Sequence, residues 1–99
     1  MKATEGRENV FSDLGFSSAE ARNLRMRSQL MTALRKFVEK EGLTQAEAAT
    51  RLKVTQPRVS DLMRGKISRF SLDTLVTMSG DAGLEVALRV TAKPSRRVA

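Results

Sequence analysis

The stretch TQAEAATRLKVTQPRVSDLMRGK, Thr44 to Lys66, encodes two short helices joined by a tight turn. Thr44 can accept a hydrogen bond from an orphan backbone N–H of the first turn, and Glu47 three residues on completes a capping box. Ala48, Ala49 and Leu52 then form an apolar face at helical spacing, with Ala49 small where the two helices cross most closely. The turn falls on Lys53 and Val54. If Lys53 takes a left-handed conformation at this turn, the strain is about 1 kcal/mol. Thr55 is a second N-cap, Pro57 sits in the first turn where a missing N–H does no harm, and Val59, Leu62 and Met63 face inward. Gly65 closes the second helix.

The charge of the chain is concentrated around this hairpin. Ninety-nine residues carry a formal net charge of +7 and a pI near 10.8, which favours a polyanionic partner through counterion release. Between residues 44 and 70, Arg51, Lys53, Arg58, Arg64, Lys66 and Arg69 stand against only Glu47 and Asp61. A basic excess on a helical hairpin points to DNA more than to a general basic surface. Cysteine and histidine are both absent, which removes disulfides, ordinary zinc sites and histidine-based acid–base chemistry, so an enzyme is not expected and neither is a cofactor or metal. No apolar run approaches membrane length and no signal-peptide core precedes the first helix, so the expected location is the cytoplasm.

Outward from the hairpin, the chain divides into an N-terminal segment 1–16, a helical domain 17–83, a strand 84–92 and a basic tail 93–99. Ser17 with Glu20 is another capping box, and Leu24, Met31, Leu34, Phe37 and Val38 recur at helical spacing, predicting one long helix that stops at Gly42. A further helix is predicted at about 72–81, started by Ser71, with Leu72, Leu75, Val76 and Met78 closing the core. Leu84, Val86, Leu88 and Val90 alternate with Glu85, Ala87 and Arg89, which is the pattern of a strand. Only residues 9–12 could pair with it inside the chain, so antiparallel pairing with the same strand of a second copy is favoured. Such a homodimer would hold two recognition helices about 34 Å apart, as a palindromic operator requires. Val10, Phe11, Leu14 and Phe16 need either the core or a partner to cover them, and the tail with Lys93, Pro94, Arg96 and Arg97 is expected to be disordered.

Residues 44–66 resemble the lambda-repressor-like helix-turn-helix family, also called the XRE family. The resemblance implies a mainly α fold, a bundle of four to five helices with one C-terminal strand, whose second motif helix lies in the major groove of double-stranded DNA. Carried over by position, Gln45 would touch a phosphate, and Thr55, Gln56, Arg58, Ser60 and Asp61 would face the DNA. Gln56 can pair with adenine, Arg58 with guanine and Asp61 with cytosine, although Asp61 also stands three residues from both Arg58 and Arg64 and could brace them. Arg64, Lys66 and Arg69 suit phosphate, because the loop after a recognition helix runs along the backbone. The order of a segment NVFSDLGF, a long helix, the motif and a terminal strand is similar to HigA-like antitoxins of type II toxin–antitoxin systems. That similarity implies a repressor of its own operon that also neutralises a small RelE-like ribonuclease toxin, with Val10, Phe11 and Phe16 as partner contacts. A stand-alone regulator of phage-repressor type and a protein-interaction adaptor whose charge is incidental are the alternatives.

Overall fold

The computed structural model describes Gly15 and residues 17–92, and over that range the chain folds into four α-helices and a 3-10 turn. The helices are α1 (Ser18–Lys40), α2 (Gln45–Leu52), α3 (Gln56–Met63) and α4 (Leu72–Asp81), with the 3-10 turn Ile67–Arg69 between α3 and α4. Each α-helix starts on a hydroxyl side chain, Ser17, Thr44, Thr55 and Ser71 in turn, that accepts from the backbone N–H three residues on. The boxes at Ser17–Glu20 and Thr44–Glu47 are closed in both directions. Helix bounds therefore fall within a residue or two of those expected, because the signals that set them are local.

Helix α1 packs along α4 while α2 crosses α3, and their apolar faces meet in one core. Leu34, Ala48, Leu52, Val59, Leu62 and Leu75 have no exposed surface, and Ala49 is buried at 9%. Phe70, just past the 3-10 turn, is 1% exposed and joins the same cluster. It closes the base of the loop after α3.

Lys53 has φ 59° and ψ 43°, in the left-handed region that glycine favours. The Val54 N–H reaches back to the Ala49 carbonyl at 3.0 Å, which terminates α2 and aims the chain into α3. The lysine side chain is 76% exposed and gains only a surface pairing with Asp81 at 3.7 Å, so the conformation is imposed by the turn and not by its side chain. We expect Lys53→Gly to raise stability by up to about 1 kcal/mol, since relief of about 1–2 kcal/mol of left-handed strain is partly offset by about 0.4–1 kcal/mol of added unfolded-state entropy. Thermal unfolding checks it, with an expected rise of several degrees.

Two expectations need correction. Val76 is 40% exposed and Leu72 only half-buried, because the face of α4 that meets the core is carried by Leu75, Met78 and Ser79. Residues 84–92 carry no strand, and no strand is present among the described residues. A strand is defined by its ladder, and the described part of a single chain offers nothing for this segment to pair with. Leu84 itself belongs to the monomer: it packs against the core and its N–H bonds the Ser79 carbonyl at 2.9 Å. Residues 9–12, Val10, Phe11 and Phe16, and the tail 93–99 lie outside the described residues.

Candidate nucleic-acid interface

Helix α3 is anchored by Val59 and Leu62, and the rotation of about 100° per residue turns Pro57, Ser60, Asp61 and Arg64 away from them, with Gln56 on the flank in the first turn. Gln56 and Arg64 are exposed and Ser60 is half-buried. Gln56 and Ser60 stand one turn apart along the helix. Gln45 is the first residue of α2 and is exposed beside the helix start, where unpaired N–H groups and the helix dipole favour an anion. Thr55 is exposed, with its hydroxyl accepting from the Arg58 N–H at 3.4 Å. Beyond α3, Gly65 in the left-handed region at φ 71° turns the chain so that Lys66 and Arg69 follow the helix end.

Arg58 and Asp61 are engaged inside the fold. The Arg58 Nη1 donates to the Arg69 carbonyl at 2.6 Å, and its guanidinium lies 5.3 Å from the centre of the Phe70 ring. Asp61 accepts from Arg69 Nη1 at 3.4 Å, so its partner is a residue eight positions on, on the turn, and not a neighbour on its own helix. The Arg69 side chain remains 57% exposed and that of Asp61 17%. Arg69 thus keeps its cation near the surface while Asp61 is turned into the pair.

Sequence reasoning missed Arg27 and Phe70. Arg27 occupies the apolar register of α1, between Leu24 and Met31, and from there reaches the turn after α3. A charged residue in a core stripe was the available signal. Its partners are backbone carbonyls 40 and 43 residues away, which no local pattern reveals. Among the described residues no cluster of acidic side chains could hold a metal ion, and no helix is long and apolar enough to cross a membrane.

Comparison with known proteins places this geometry. The chain matches the helix-turn-helix domain family over residues 10–91. A solved structure assigned by name to the XRE family of transcriptional regulators is 32% identical, with a TM-score of 0.72, over 81% of this chain and 90% of that one. None of the curated proteins matches this chain.

Proposed function

Because the chain belongs to the helix-turn-helix domain family and is of the XRE type, we propose that it is a sequence-specific DNA-binding transcriptional regulator that acts as a homodimer. The observation that carries this reading is the outward face of α3: a polar row on a helix locked into the core from behind, between the start of α2 and a cationic turn. In this assignment Gln56 and Ser60 meet base edges in the major groove, while Gln45, Thr55, Arg64, Lys66 and Arg69 meet phosphates. Arg58 and Asp61 have prior partners in the fold and serve the turn instead. A binder making about six phosphate contacts loses on the order of a thousandfold in affinity between 50 and 200 mM salt. Fluorescence anisotropy on promoter DNA reads this directly, and a flat salt response favours the adaptor reading.

The dimer is assigned to the segment after Leu84. Val86, Leu88 and Val90 are 42%, 82% and 82% exposed, and Met26 and Val76 leave further apolar surface open. Met26, Leu30, Leu72, Val76, Val86 and Leu88 line a cleft of about 900 Å³ between α1, α4 and this segment. Antiparallel pairing with the same segment of a second copy satisfies the unpaired backbone groups and brings a second apolar row to the cleft mouth. Exposed apolar surface of this kind marks an interaction site.

The finer role we propose is that of an antitoxin that represses its own operon and neutralises a small RelE-like ribonuclease toxin. Its support is the apolar set Val10, Phe11 and Phe16, which falls within the span matched by the family although it precedes the helical bundle. With the chain at +7, apolar contact has to carry the pairing if the toxin is also basic. Purification of the tagged chain from its native host after nuclease treatment tests this by mass spectrometry. A stoichiometric small protein is expected; a homodimer alone that still shifts its own promoter makes the chain a stand-alone repressor.

A further inference from the structure

The turn after α3 is held by arginines from two different helices. From α1, Arg27 donates Nη1 to the carbonyls of Ile67 at 3.0 Å and Phe70 at 3.1 Å, and its Nε donates to Asn23 Oδ1 at 2.6 Å one turn back. From α3, Arg58 donates to the Arg69 carbonyl at 2.6 Å and lies against the Phe70 ring. The carbonyls of Ile67, Arg69 and Phe70 are all thereby taken by guanidinium groups.

The turn needs such support. It is a three-residue 3-10 helix with no side-chain cap, and a segment that short has little stability of its own. It also carries Lys66 and Arg69, two of the cations assigned to phosphate. Carbonyl oxygens left bare beside those cations would present partial negative charge towards a phosphate backbone. Capped by guanidinium, the same oxygens are satisfied and the local field stays positive. Asp61 then fixes the Arg69 side chain from α3, so the turn is restrained at backbone and side chain together.

We propose that Arg27 and Arg58 are positioning residues for DNA binding: a two-arginine clamp that presents the Lys66–Phe70 turn to the phosphate backbone in register with α3. The proposal rests on the DNA-binding reading and deepens it: Arg58, which the sequence suggested for a single base pair, acts through the turn on every DNA sequence alike. Arg27 is half-buried and reaches the DNA only through the turn.

A double-mutant cycle with a structural readout tests it. In the absence of DNA, Arg27→Gln accelerates amide hydrogen exchange at Arg69 and Phe70, whose N–H groups bond within the turn, by about tenfold or more. On operator and scrambled duplexes alike it lowers affinity about tenfold and flattens the slope of log affinity against log salt by about one, equivalent to one lost phosphate contact. In the Arg27→Gln background, Lys66→Ala costs less than about twofold, although alone it costs several-fold, because the contact it removes is already displaced. Arg58→Met keeps a side chain over Phe70 without a donor, and weakens both duplexes equally. Additive effects of Arg27→Gln and Lys66→Ala, or an Arg58→Met loss confined to the operator, overturn the proposal. If Arg27→Gln does not fold, Arg58→Met with the same exchange and two-duplex readouts decides alone. Unchanged exchange overturns the clamp itself, whereas altered exchange in a protein whose wild type lacks salt-steep DNA affinity overturns the reading beneath it.

Discussion

With the segment after Leu84 as the proposed dimer contact, Leu88→Asp is expected to yield a monomer in sedimentation equilibrium, with unchanged helical circular dichroism, and to lower affinity for a palindromic operator by about a hundredfold or more. Leu88 is 82% exposed in the single chain, so the monomer fold does not depend on it. Its side chain belongs to an alternating apolar row in a segment without a strand partner among the described residues, and a carboxylate placed in that row must be desolvated whenever two copies pair. Two monomers then bind two half-sites independently, and the gain from linking them is lost. Affinity for a single half-site should be unchanged, which separates a dimer defect from damage to α3. A variant that stays dimeric places the subunit contact elsewhere.

Leu62→Ala loses about 2–5 kcal/mol of stability, for a different reason. Leu62 has no exposed surface and pins α3 to the core from the side opposite Ser60. Shortening it removes packing and leaves a cavity beneath the helix without touching a residue assigned to DNA. In a domain of this size each kcal/mol is worth about 4–8 °C in melting temperature, so a fall of at least about 8 °C is expected by calorimetry. DNA affinity should recover on cooling to where the variant is folded. Affinity that stays lost in a folded variant means Leu62 does more than pack.

The parts of this fold that were legible in the sequence are those fixed by neighbours in the chain. The Thr44–Glu47 box, the caps at Thr55 and Ser71 and the closure of α3 at Gly65 each depend on a few consecutive residues, and all are found where the pattern put them. The orientation of α4 was less legible, because Val76 is apolar and in helical register yet lies on the face turned to the cleft. The candidate site divides in the same way. Exposure of Arg64 follows from helical rotation and that of Gln56 from its place at the helix start, whereas the engagement of Arg58 and Asp61 depends on where a turn some eight to eleven residues later comes to rest. Arg27 could only have been noticed as a charge out of place. The alternation from Leu84 to Val90 has the pattern of a strand, but pairing is not a property one segment can have alone.

One anisotropy titration of wild type and Gln56→Ala on promoter and scrambled duplexes decides whether α3 reads DNA sequence. The wild type is expected to prefer the promoter by about a thousandfold or more, and Gln56→Ala to lose about 5- to 150-fold there, equivalent to 1–3 kcal/mol, with little change on scrambled DNA. Equal wild-type affinity for both duplexes, or a Gln56→Ala loss of the same size on each, contradicts sequence reading by α3.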